Sequence, residues 1–259
     1  MARLRGGHGA ARRRSGRAQG RALSPIRVVW PESAAELEKL QCELAACAPE
    51  AWQPEPGPLR VGGVFVCFER GRGGAGADGD PGWAGAAIAA EGRRVAAVGV
   101  AGAAAAPYAA GLLALREGRL LETAVRALPE RPDVLLVNAT GRDHPRRAGL
   151  ALHLGARLGM PTVGVTHRPL FASGGEPAES LGSRSPLWLD GEMVGVWLRV
   201  RPGVRPLAVH AGWRCDVACA IDVVIRAVGR ARTPLALRIA RAAARELRAR
   251  SASSADHSK

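Results

Sequence analysis

The chain has 259 residues, enough for one core of about 200 residues with tails and too few for two full domains. Apolar residues make up 47% but aromatics only 4%, so the core has to be packed from alanine, glycine and medium aliphatic side chains. A net charge of +14 points to polyanionic partners, and the absence of any apolar run of about 18 residues excludes a membrane-spanning helix.

Residues 1–29 carry Arg3, Arg5, Arg12, Arg13, Arg14, Arg17, Arg21 and Arg27 and no acid. They read as a disordered basic leader, with phosphate contact as the functional alternative. The leader lacks the apolar stretch of a secretory signal, so a cytoplasmic location is expected. Residues 30–250 form the expected single domain, and residues 251–259 a disordered tail. Ser33 and Glu36 make a capping-box pattern before Leu37, Leu40 and Leu44, which predicts a helix of about 14 residues. Val61–Glu69 reads as a strand, Gly71–Gly82 as a loop too polar to pack, and Ala84–Ala90 and Arg93–Val100 as two strands across Glu91-Gly92.

The spacing then becomes helical at Leu121, Val125 and Leu128. Val134–Val137 is a buried-strand run, and Leu150, Leu154 and Leu158 mark a helix with Pro145 near its first turn and Gly159 at its end. Thr162–Thr166, Met193–Val200 and Leu207–His210 are strands, and two helices close the chain. Adjacent strands first, and alternating strands and helices later, predict an α/β fold: a mixed sheet flanked by helices. Five cysteines without a Cys-x-x-Cys pair predict reduced, structural thiols. Trp188, Trp197 and Trp213 are expected in the core.

Sites on such sheets gather beyond the carboxyl ends of the central strands, which is where Asn138–His144 lies. Polar groups at the start of the following helix suit a phosphate. Equally, Asp143 serves as a simple helix cap there and Arg146 and Arg147 as a solvated face.

The run from Asp133 to Arg147 (DVLLVNATGRDHPRR) resembles the endonuclease V motif in which a strand ends in Asp-Gly-His-Gly and leads into His-Pro-Arg-Arg. Pro107-Tyr108, with Gly111 and then Arg116-Glu117, is similar to that family's Pro-Tyr-x-Pro-Gly wedge and its downstream Arg-Glu. Gly63–Glu69 and Pro161–Val165 resemble two of its strands. The resemblance implies an RNase H-like fold, with a three-strand antiparallel meander joined to parallel strands. It also implies a DNA-repair activity that cuts one strand of DNA or RNA near a deaminated base, chiefly inosine, using Mg²⁺ held by carboxylates. Hard divalent ions require such charged oxygens.

This sequence departs from the pattern at the metal. The resemblance sets Phe65 where the family has its first-strand aspartate and Asn138 where it has the later one, leaving Glu117 as the retained acid and His144 as the retained histidine. His167 and Trp213 replace a lysine and a histidine. Glu69 shares the face of Phe65 but sits about 13 Å along the strand. Asp143 is the one acid placed to join Glu117 and His144 in a remodelled site.

Tyr108, Gly111, Gly141, Arg146 and Arg147 match family positions that contact nucleic acid, Tyr108 as the wedge and the two glycines as pocket lining. Taken singly, each has an ordinary structural role: a loop aromatic, turn glycines, solvated arginines. The reading is therefore a pseudoenzyme that binds deaminated or distorted DNA or RNA, with Mg²⁺ absent or weakly bound. The alternatives are a Mg²⁺-dependent endonuclease with altered ligands and a protein-interaction scaffold.

Overall fold

The structure is a computed structural model, and it describes residues 28–69 and 76–256. The expected basic leader thus lies outside the described residues except for Val28 and Val29. Val28 is buried against Leu44, Ala148 and Leu152, so the core begins two residues earlier than Trp30.

The elements in chain order are α1 (Ala34–Ala46), β1 (Val61–Phe68), β2 (Pro81–Ala90), β3 (Arg93–Ala103), α2 (Leu113–Arg126), β4 (Val134–Val137) and α3 (Leu150–Leu158). They continue with β5 (Thr162–Thr166), β6 (Arg184–Leu189), β7 (Glu192–Leu198), β8 (Leu207–Ala211), α4 (Val217–Ala227) and α5 (Leu235–Asp256). The strands form one eight-stranded sheet in the order β3-β2-β1-β4-β5-β8-β7-β6. β1, β4 and β5 run parallel, and every other neighbouring pair is antiparallel. The expected meander is β1–β2–β3, and the expected mixed sheet is present.

Side chains alternate across β4: Leu135 and Val137 face α2 and α3, while Val134 and Leu136 face α4 and α5. Both faces are covered, which is why this strand reads as an unbroken apolar run. The alanine and glycine content has a geometric use in α5, where Ala236, Ala240 and Ala244 are buried at four-residue spacing. They meet Gly63 of β1 and Gly85 of β2, where a Cβ would overlap helix backbone, so α5 approaches the sheet at backbone distance.

Several expectations change. The capping box holds in part: Ser33 Oγ accepts from the Glu36 N–H at 3.2 Å, but the Glu36 carboxylate accepts from the N–H of Glu32. The described part of the loop expected to be unpacked is anchored, since Asp80 is buried and bound at 2.8 Å by Arg116. α3 begins at Leu150 behind Gly149, five residues after Pro145, because residues 141–149 form turns bonded within themselves and, through Arg142, to the Ala211 carbonyl of β8. β6 went unseen because Pro186 interrupts its pattern, which an edge strand tolerates. α5 runs to Asp256, past the expected boundary at Arg250. Cys215 and Cys219 form a disulfide with Cα atoms 5.5 Å apart, because the turn at Asp216 that starts α4 sets them face to face. Trp188 is exposed rather than in the core.

Candidate nucleic-acid interface

The parallel register aligns Val64 with Val137, so the next positions, Phe65 and Asn138, lie side by side at the carboxyl edge of β1 and β4. α2 crosses beneath them and presents Glu117. Phe65, Glu117, Asn138 and Tyr108 border a cavity of about 250 Å³. A second cavity, also about 250 Å³, is lined by Tyr108, Gly111, Asn138, Ala139, His144 and Leu170. The two share Tyr108, Leu113, Asn138 and Leu150, so they are compartments of one cleft, with the half-exposed Tyr108 ring where they meet. Ala139 lines the second compartment without closing it.

The first compartment is poor in charge. Burial pushes the Glu117 carboxyl up to about 7, against the opposing pull of Arg116. The Arg116 guanidinium is turned away to Asp80, to the Ala77 and Ala106 carbonyls, and over the Phe68 ring. It therefore does not neutralise Glu117, which has no hydrogen-bond or ion-pair partner among the described residues. Phe65 has no donor atom, and its ring lies under the guanidinium of Arg241 from α5, 4.9 Å from centroid to carbon. Asn138 is exposed to the cleft and offers a neutral carbonyl. Among the described residues no three His, Cys, Asp or Glu side chains converge as a metal site. A divalent cation wants several charged oxygens, and this donor set does not fit one.

Asp143 does not join that set. It is fully buried, and its carboxylate accepts the backbone N–H groups of Leu170, Phe171 and Ala172 at 2.6, 2.9 and 2.7 Å. It fixes the loop that walls the second compartment and caps no helix. The start of α3 is also closed to a phosphate, because the N–H groups of Gly149 and Ala151 donate to the Gly141 and Thr140 carbonyls. Behind Asp143 lies the fully buried His210. Burial drops its pKa to about 4 despite Asp143, and its Nε2 contacts Thr166 Oγ1 at 2.9 Å.

His144 is a wall-building residue. Its Nδ1 accepts from the Arg146 N–H at 3.2 Å, so Nε2 carries the proton and donates it to the Gly111 carbonyl at 2.9 Å. Burial lowers its pKa, the Gly111 carbonyl and Asp143 pull the other way, and Arg146 adds to the lowering; the ring is neutral. Gly111 has φ +77°, and its carbonyl also accepts from Gln41 Nε2 at 3.1 Å. Gln41 in turn takes the Arg146 Nε–H at 2.7 Å.

The remaining expected residues separate. Gly141 is required by packing, since a Cβ there would overlap the Ala211 carbonyl, and it does not line the cleft. Arg146 reaches Glu38 and Gln41, while Arg147, at φ +56°, reaches the Leu189 carbonyl, Asp190 and Glu192. Neither is a free solvated arginine. His167 is exposed just beyond β5. Trp213 is elsewhere, packed with Leu44 and Leu152. Two residues of the site went unrecognised in the sequence. Gln41 carried a signal as the polar member of an apolar stripe with Leu37 and Leu44; Arg241 was one arginine among five in its helix.

A family model described as Endonuclease V matches residues 61–242. Among curated relatives, Endonuclease V of Nostoc punctiforme is 42% identical over 134 residues, 52% of this chain and 61% of that protein. The Streptomyces coelicolor Endonuclease V is 36% identical over 197 residues, 74% of this chain and 81% of its own length. Over its first matches the chain spans about three fifths of the relatives' length. Among solved structures, Streptomyces avermitilis Endonuclease V superposes with a TM-score of 0.77 at 33% identity, covering 86% of this chain and 96% of that one. Ciona intestinalis Endonuclease V, solved in complex with a 24mer DNA containing an inosine followed by a ribo-adenosine, has the same fold, with a TM-score of 0.68 at 20% identity, covering 83% of this chain and 98% of its own.

Proposed function

This chain belongs to the endonuclease V family, with the RNase H-like fold, and we propose that it binds DNA or RNA carrying a deaminated or distorted base without hydrolysing it. The observation that carries this reading is the contrast between the two compartments of the cleft. The compartment walled by Gly111, Ala139 and His144 keeps the room and the hydrogen-bonded walls to receive a base turned out of its stack. Its neighbour, bordered by Phe65, Glu117 and Asn138, lacks the carboxylates on which Mg²⁺-dependent cleavage depends. Phosphate and base contacts use other groups than metal ligands do, so binding can outlast hydrolysis. Tyr108, half-exposed at the junction, is placed to fill the gap that a flipped base leaves.

Single-turnover cleavage of inosine-containing DNA and RNA with Mg²⁺ or Mn²⁺ tests the proposal. The unmodified chain is expected to bind and not to cut, whereas the Phe65→Asp/Asn138→Asp double variant regains cleavage. Cutting by the unmodified chain that disappears in Glu117→Ala would establish a working endonuclease with altered ligands instead. Weak, salt-insensitive binding would point to a scaffold, because genuine phosphate contacts weaken steeply as salt rises.

A further inference from the structure

Several buried and half-buried arginines of this protein are matched by a carboxylate. Arg116 meets Asp80, Arg157 meets Glu122, Arg147 meets Asp190, and Arg199 meets Glu179. Arg232 and Arg241 are not. Arg241 stands over the Phe65 ring with its Nε shielded from water and lacking an acceptor. The Nε of Arg232 is likewise buried without an acceptor, while its Nη2 is held by the Pro206 carbonyl at 2.6 Å. No ion pair is formed by either among the described residues. His167 follows β5, and partial burial together with Arg232 and Arg241 lowers its proton affinity. Arg245 adds a further positive charge beside Arg241.

A partly desolvated guanidinium with an unused N–H group is costly unless an anion completes it. Planar guanidiniums suit the oxygens of a phosphate. Position supports the same ligand: Phe65, which braces Arg241, also borders the cleft, so one nucleotide with its base in the second compartment would carry its backbone past this edge.

We propose that Arg241, braced on Phe65 at the edge of the cleft, forms an anion site for a phosphodiester group of the bound nucleic acid. The proposal rests on the binding function above and locates its main charge contact on α5. Phe65 then has a positive role: it replaces an acid with a ring that carries a fixed cation.

The test uses the full chain, Arg241→Gln, Arg241→Lys and a control, Arg93→Gln, exposed at the start of β3. In one arm, inorganic phosphate is titrated while thermal denaturation is followed. In the other, a labelled inosine-containing duplex is titrated in EDTA at several salt concentrations. Phosphate is expected to raise the Tm of the full chain but not of Arg241→Gln. Duplex affinity is expected to fall about tenfold in Arg241→Gln, to recover partly in Arg241→Lys and to change less than twofold in the control, with the salt slope of Arg241→Gln reduced by about 0.9. Equal duplex affinity and slope for the full chain and Arg241→Gln would overturn the proposal, whatever free phosphate does, and leave the binding function standing. Phosphate protection lost in Arg241→Gln, with no duplex bound by the full chain, would uphold the anion site and remove the nucleic-acid function. If the full chain shows neither duplex binding nor phosphate protection, both fall.

Discussion

Glu117→Gln isolates the energetic cost of leaving one acid in a site without its partners. In the folded chain the Glu117 carboxyl titrates at about 7, against 4.5 when unfolded, because burial opposes its charge. The sign is opposite to that of a salt-bridged acid. Below the unfolded value both states are protonated and the group is neutral to stability. As pH rises towards 7 the unfolded chain ionises while the folded one holds its proton, so stability drains away, and the loss is complete above 7. At about 1.4 kcal/mol per pH unit, the raised pKa corresponds to roughly 3 kcal/mol, an upper figure because the group is only half-buried. Glutamine occupies the same volume without titrating. Urea denaturation at pH 5 and pH 8 should therefore show the variant gaining about 2–3 kcal/mol over the parent at pH 8, and far less at pH 5. A gain equal at the two pH values would refute the assignment of the shift to Glu117. The same pair, titrated with Mg²⁺ at pH 8, reads out any residual metal binding. An ion on Glu117 would stabilise the parent and not the variant, and no such difference is expected.

Three further outcomes follow from the cleft walls. His144→Ala removes the N–H that holds the Gly111 carbonyl, and should cost about 2 kcal/mol in a denaturant titration while weakening inosine-duplex binding. Gly141→Ala forces a methyl group into the Ala211 carbonyl, so a loss of about 3 kcal/mol or more is expected, seen as a lowered Tm; an unchanged Tm would contradict the packing described. Asp143→Asn turns an amide donor towards one of three backbone donors, which should cost about 2 kcal/mol and speed hydrogen exchange at residues 170–172 without affecting the β1–β2–β3 meander.

The fold was legible where a periodicity met a boundary signal. Val134–Val137 is apolar on both faces, Gly159 takes the left-handed conformation at the end of α3, and Ser33 caps α1; these signals located β4, the end of α3 and the start of α1 to within a residue or two. Errors arose where tertiary contacts overrode local pattern. Pro145 resembles a helix start, but residues 141–149 form turns whose N–H groups bond within the segment, with Arg142 tied to the Ala211 carbonyl of β8. Asp143 resembles a cap or a ligand, yet it binds a loop 27 to 29 residues further along the chain, a pairing that no local spacing encodes. The losses at Phe65 and Asn138 were visible by resemblance to the family. The compensation by Arg241 was hidden, because it depends on the fold laying α5 across β1, 176 positions away in the chain from Phe65 to Arg241.

The exchange of Phe65 for an acid has a consequence beyond the missing ligand. A site of converging carboxylates is negative and repels a phosphate unless a cation intervenes, so affinity for the backbone there depends on the metal. Here one acid remains, its charge suppressed by burial, and Arg241, which forms no ion pair among the described residues, stands over the Phe65 ring that borders the same compartment. That edge carries a fixed cation in the absence of any ion. Binding that needs no metal should then be insensitive to EDTA and steeply sensitive to salt. Restoring acids at positions 65 and 138 should reverse both properties, making affinity depend on Mg²⁺ and weakening it in EDTA. Duplex binding measured for the parent and the Phe65→Asp/Asn138→Asp variant, each with EDTA and with Mg²⁺, gives the four values needed. A parent whose affinity falls on adding EDTA would show that an ion still supplies the charge, and the positive edge formed by α5 would have to be set aside as the binding determinant.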